Sequence, residues 1–194
     1  MERPARGDRA VSYPGFEDAL RRVVTGTDGD GKSVVIIDGG PAEIAAAVGS
    51  GGLLEVWTDS ATQPLDPTDH ADRGKGAVLL APSVGGVKMR WFVIEPVPAG
   101  VPKQQLDERV REVFRSFGAE LHIRDQSRHS AMHETPTLDI ICLLRGDASL
   151  ILEKGETRLK PGQIVIQRNT NHAWVAHGGP ALFLSVLIDR PIAH

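Results

Sequence analysis

Short β-branched and apolar runs recur along the chain, at Val34–Ile37, Leu53–Trp57, Ala77–Leu80, Val87–Ile94, Leu138–Leu144, Ser149–Leu152, Ile164–Ile166 and Leu182–Ile188. Each has strand length and is bounded by Gly, Pro, Asp or Asn, so the pattern predicts strands joined by turns. Glu153–Lys154–Gly155–Glu156 reads as a tight hairpin turn in which Gly155 takes the left-handed position. A different period appears once. Leu106, Val110, Val113, Phe114 and Phe117 lie on one face of a helix predicted over 103–117, with Gly118 as its stop. That apolar stripe is expected to pack outside the parent sheet; a partner-binding face is the alternative. Pro41–Val48 is Ala-rich enough for a second, short helix ended by Gly49. Residues 59–76 are turn-rich and acidic and read as a long surface loop.

Composition adds constraints. With 194 residues, 41% hydrophobic and 24% charged, the chain is expected to be a single domain over 1–194 with one core. Its 21 Gly and 13 Pro suit many short strands, which favours an all-β class. A net charge of -3 with no basic block argues against nucleic acid as a partner. No 18 apolar residues run together and no signal-type apolar segment opens the chain, so no membrane partner is expected. Cys142 is the sole cysteine, which precludes an internal disulfide and suits a reducing cytoplasm.

Gly26–Thr27–Asp28–Gly29–Asp30–Gly31–Lys32–Ser33 satisfies the phosphate-loop pattern letter for letter. Such a loop must open into a helix, whereas Ser33 is followed by the strand-like Val34–Val35–Ile36–Ile37, and Asp28 and Asp30 would repel a polyanion. A hairpin turn between Arg22–Thr25 and Ser33–Ile37 accounts for the same residues, and no further acidic ligand arrives at calcium-loop spacing.

Five of the seven histidines, His122, His129, His133, His172 and His177, fall in the most strand-like part of the chain. In an extended segment His133 and Thr135 share one face. Asp139 and Gly146 follow, giving His133-x-Thr135-x3-Asp139-x6-Gly146; downstream comes Gly162-x4-Gln167-x-Asn169-x2-His172. These spacings resemble the two motifs of the cupin family, G-x5-H-x-H-x3,4-E-x6-G and G-x5-P-x-G-x2-H-x3-N. The chain departs from them in lacking the upstream Gly, in carrying Thr135 and Asp139 for His and Glu, and in placing Ala176 where the family has Asn. The resemblance covers about residues 119–190 and includes the turn Leu159–Lys160–Pro161–Gly162. Residues 1–100 look like the N-terminal extension of a bacterial subgroup of small cupins.

The resemblance implies an all-β fold: one cupin-type jelly-roll β-barrel with an N-terminal strand extension and one external α-helix. It also implies a pocket in the barrel mouth for a small-molecule ligand or substrate. In cupins the motif residues converge on a divalent metal, and here His133, Asp139 and His172 are the three surviving ligand positions. Two readings stay open. A metal (Fe, Mn, Zn or Ni) on these three would act as a Lewis acid or oxygen-activating centre. Without metal, Asp139 with His133 or His172 would serve as the catalytic acid/base pair for a lyase, isomerase or cyclase reaction. A non-catalytic ligand-binding or assembly role is the alternative to both. His129 lies about 13 Å of extended chain from His133 and so lines the pocket unless Ser130–Ala131–Met132 bends. Trp174, on the face of His172, and Thr135 complete the expected lining. His122 and Cys142 read as core residues. Sheet edges left by the extension suggest a homodimer.

Overall fold

The computed structural model describes residues 13–47, 51–60, 62–190 and 192–193. Arg22–Thr27 (β1) and Ser33–Gly39 (β2) pair only with each other, as an antiparallel hairpin. Its turn is the phosphate-loop look-alike. Asp28 closes it by accepting, at Oδ1, the backbone N–H groups of Asp30 and Lys32 at 3.0 and 2.9 Å. The carboxylate therefore occupies the donors a phosphate would need, and Ser33 leads into a strand.

Glu43–Ala47 (β3), Gly51–Ser60 (β4) and Gly86–Ile94 (β5) begin a six-stranded sheet, completed by Thr137–Arg145 (β6), Ile164–Arg168 (β9) and Ala181–Asp189 (β11) in the order β3-β4-β5-β11-β6-β9. Ala148–Leu152 (β7), Glu156–Leu159 (β8) and His172–Ala176 (β10) form a second sheet, ordered β10-β7-β8. All named pairings are antiparallel. The main core lies between these sheets: Phe92 stacks on Phe183 at 4.6 Å, Trp174 leans on both, and Leu143, Leu150 and Ala181 fill the remainder. The outer face of the larger sheet is covered by Tyr13, Phe16 and Leu20 packed on Leu54, Trp91 and Leu182. The fold is all-β with one helix, the class that the strand pattern predicted and the resemblance implied, built here as a six-stranded and a three-stranded sheet around the main core.

One helix, α1, runs Lys103–Ser116. Beyond it Gly118, at φ 63°, donates to Arg115 O, and Ala119 N–H donates to Phe114 O at 2.8 Å, so the last carbonyls are satisfied by a left-handed turn. Among the described residues no helix is long and apolar enough to cross a membrane.

Two local expectations fail. The short helix over 41–48 is absent where it is described, because Glu43–Ala47 is β3, paired from Glu43↔Glu55 to Ala47↔Gly51. Helix propensity over so few residues does not cover nucleation, whereas β4 offers a ready ladder. Val48 and Gly49 lie outside the described residues. Ala77–Leu80 is not a strand either. Its carbonyls and amides serve other groups: Leu80 N–H donates to Phe117 O at 3.0 Å, and Leu79 O accepts Lys88 Nζ at 3.0 Å.

Gly146 turns β6 into β7 at φ 87°, where an added Cβ would stand 2.7 Å from Pro180 O and 2.8 Å from Ala181 Cα. Gly155 has a similar φ of 86° with nothing within 4 Å. Gly155→Ala should therefore cost the left-handed strain alone, about 1–2 kcal/mol, and Gly146→Ala should cost clearly more. Urea denaturation of both variants checks this; equal losses contradict it.

Candidate functional site

A cavity of about 210 Å³ opens at one end of the main core. Inward side chains of β5, β6, β10 and β11 make its floor, the segment 129–135 one wall, and α1 its cover. The helical stripe predicted to pack outside the sheet instead faces this space: Leu106, Val110, Val113 and Phe114, with Phe117 beyond the helix end, all line it. None of the α1 residues is fully buried, because their apolar face looks into a void.

His133 and His172 meet here. Their backbones exchange two hydrogen bonds of 2.9 Å, which sets the rings side by side with centroids 4.4 Å apart. His133 Nδ1 lies 2.9 Å from Ala131 O, and His172 Nδ1 lies 2.9 Å from Thr170 O. A carbonyl only accepts, so each Nδ1 carries the proton and each Nε2 keeps its lone pair. Burial, with the neighbouring His172 ring, pushes His133 down to about 3, and burial also lowers His172. Both imidazoles are uncharged at neutral pH. Phe114 of α1 stands edge-on to His133 at 4.9 Å, and Trp174 stands edge-on to His172 at 6.1 Å.

Asp139 enters from β6 and is 4% exposed, with no hydrogen-bond partner for Oδ1. Burial pushes its carboxyl up to about 6, against the opposing pull of the Thr137 hydroxyl and the Arg90 charge. Thr135 Oγ1 and Thr137 Oγ1 are 2.6 Å apart, so the inward residues 135, 137 and 139 form one polar line. Thr135, Asp139 and Trp174 all line the cavity, as does His129. His129 reaches it because 129–132 folds into a turn, with Met132 N–H donating to His129 O at 3.1 Å. Its Nδ1 accepts Ala131 N–H at 3.1 Å, so the backbone of one residue, Ala131, holds His129 and His133 in opposite tautomers.

The expected metal-ligand set is not assembled. His133 and His172 are oriented as ligands usually are, with Nδ1 anchored on carbonyls. Among the described residues, however, no three His, Cys, Asp or Glu side chains come together where an ion could be held. Asp139 is one methylene shorter than the Glu of the motif, and the polar groups that act on its carboxylate are the Thr137 hydroxyl and the Arg90 charge. Two neutral nitrogens do not fit a stable divalent site.

Other histidines lie elsewhere. His177 Nε2 is 2.9 Å from Ser149 Oγ, and His122 borders a separate surface depression with Glu134 and Asn169. Cys142 is half-buried on β6.

The sequence reading missed Arg90, which is 1% exposed and lines the cavity. Its signal was present: Lys88 and Arg90 alternate with apolar residues in a strand buried on both faces. Glu55 sits opposite on β4, with Arg90 NH2 at 2.8 Å and Lys88 Nζ at 3.8 Å.

No profile of a known protein family matches the chain. Over 159 residues it is 28% identical to phomopsin biosynthesis cluster protein D of Diaporthe leptostromiformis, covering 79% of this chain and 68% of that protein. Over 93 residues it is 31% identical to the cupin-domain-containing oxidoreductase fogC of Aspergillus ruber, covering 40% of this chain and 46% of that one. A solved cupin superfamily protein from Desulfitobacterium hafniense aligns with 10% identity and a TM-score of 0.33, over 54% of this chain and 68% of its own.

The neutral imidazoles make stability depend on pH. Below the ordinary histidine value of 6.5 the unfolded chain binds protons that folded His133 and His172 do not, so stability falls as pH drops. Asp139 acts in the opposite sense between about 6 and 3.8, where the folded carboxyl holds a proton that the unfolded one has lost. A His133→Gln/His172→Gln double variant should lose less stability than wild type between pH 7 and pH 5. Parallel urea midpoints across that range would contradict the assignment.

Proposed function

We propose that this chain, whose motif residues resemble those of the cupin family, transforms a small molecule by proton transfer in the cavity beneath α1. The observation that carries this reading is one cavity lined both by a buried carboxyl with an unpartnered oxygen and by two uncharged imidazoles. A group whose pKa is about 6 is ionised at neutral pH yet readily reprotonated, which is the range wanted of a general base that later returns the proton. An imidazole held near 3 is a poor proton acceptor. Asp139 therefore moves the proton, while His133 and His172, through Nε2, accept hydrogen bonds from the substrate and fix its pose. Isomerisation, dehydration and cyclisation all fit this division of roles. Their balance needs only a proton taken from one substrate atom and delivered to another. His129, Thr135 and Trp174 shape the polar wall, and the α1 stripe excludes water.

The assembly proposed is a homodimer. Ile140, Ile164 and Ile166 are exposed together on the outer face at the β9 edge of the larger sheet, where a second copy would cover them.

Incubation with extracts of small molecules, followed by mass spectrometry, identifies what is consumed. Asp139→Asn should then lower kcat by about 10²-fold or more with substrate affinity little changed, and His172→Ala should mainly weaken binding. The wild-type rate should rise through a limb near pH 6 and survive chelation. Full activity in Asp139→Asn, or activity lost to chelator and restored by Fe, Mn, Zn or Ni, would overturn the reading.

A further inference from the structure

We infer that the cavity selects a molecule with an apolar body and one acceptor oxygen, a carbonyl or a carboxylate, seated on the Arg90 guanidinium. The inference rests on the reading of the cavity as a small-molecule site and names the chemistry it admits.

Arg90 projects inward from β5 and lies among the largest fully buried side chains of the protein. Only one of its three nitrogens is engaged: NH2 donates to Leu79 O and stands 2.8 Å from Glu55 Oε1. Nε and NH1 are buried and have no hydrogen-bond partner. A buried cation with idle donors is costly, and buried donors are as a rule satisfied. The neighbouring inward positions leave these donors unsatisfied: Phe92 follows on β5, Ile141 lies along the same row of β6, and Asp139 in the next row acts on Arg90 through its charge without hydrogen-bonding to Nε or NH1. Ser185, directly opposite on β11, turns its hydroxyl toward the Arg90 carbonyl at 3.5 Å instead. The side that remains is the cavity, which Arg90 lines.

The rest of the lining sets the ligand's other properties. Leu106, Val110, Val113 and Phe114 supply an apolar wall from α1, facing Phe92 and Ile141 on the sheets. The unengaged donors of Arg90 thus sit at the polar end of a mostly hydrocarbon space. Nε and NH1 lie on different edges of the guanidinium, so the ligand is held by single N–H···O bonds and no bidentate carboxylate clamp is required. In the proposed reaction this places a donor where negative charge would gather on a carbonyl oxygen once Asp139 has removed a proton from the adjacent atom.

Four probes of one shape test this by calorimetry on the purified full chain: 2-acetylnaphthalene, 2-naphthoate, 2-ethylnaphthalene and 2-naphthylmethylamine. At least one oxygen-bearing probe should bind about 10-fold or more tightly than the hydrocarbon, and the amine should bind most weakly. Binding of the ketone but not the acid identifies a carbonyl as the recognised group, and the reverse identifies a carboxylate. Arg90→Met should abolish the preference while leaving ethylnaphthalene binding unchanged. If that variant does not fold because Glu55 is left unpaired, Glu55→Gln/Arg90→Met removes the orphaned charge, and Arg90→Lys tests the loss of Nε and NH1 with the charge kept. Ethylnaphthalene binding as tightly as both oxygenated probes overturns the inference and leaves the cavity reading intact. No binding of any probe below about 1 mM overturns both.

Discussion

The ladder that β11 makes with β5 on one side and β6 on the other joins the two halves of this chain. The N-terminal strands and the motif-bearing strands meet nowhere else in so continuous a register. Because antiparallel strands place every second side chain on one face, the register also decides which residues share the interior. Ile141, Ser185, Arg90 and Glu55 fall in one row, and Asp139, Leu187 and Lys88 in the next. A slip of one residue along β11 would turn Phe183, Ser185 and Leu187 to the outer face and bring Leu182, Leu184 and Val186 in. The hydrophobic contacts of Phe183 and Leu182, one on each face of β11, hold the strand against that slip.

Polar groups inside such a core need compensation, and the protein provides it unevenly. Thr135 and Thr137 bond to each other, and Gln167 donates to Thr170. Asn169, the described non-glycine residue with a positive φ, donates from its side chain to Thr135 O at 2.7 Å and so ties the two motifs together. Among the unpartnered buried atoms of the described residues, those of Arg90 and Asp139 belong to residues that line the cavity, whereas Glu55 Oε1 and Asn171 Oδ1 belong to residues that do not.

Much of this was legible in the sequence because it is local or periodic. The strand runs at 87–94, 138–144 and 182–188, the hairpin at Gly155 and the helix stripe are patterns of short range, and the structure contains each of them. The spacing of His133, Thr135, Asp139 and His172 likewise identified residues that border one cavity. What escaped depends on distant partners. β3 exists because β4 is beside it, whatever the helix preference of Ala45 and Ala46. Leu79 was drawn from an expected strand into capping buried cations. Nothing near Asp139 in sequence announces that the charge of Arg90, on another strand, would act on it, or that no third ligand would join the two imidazoles among the described residues.

The cover of the cavity is a single helix hung between a Pro-rich segment and Gly118, while His129, His133, Asp139, His172 and Arg90 come from strands or the 129–135 turn. The apolar outline of the space and these polar groups are thus encoded in separate stretches of chain. Exchanging Val110 or Val113 for a larger or smaller neighbour redraws the outline of the cavity without touching the strands that carry Asp139 and Arg90. The helix is therefore the stretch in which the shape of the space can change at least cost to the polar groups on the strands.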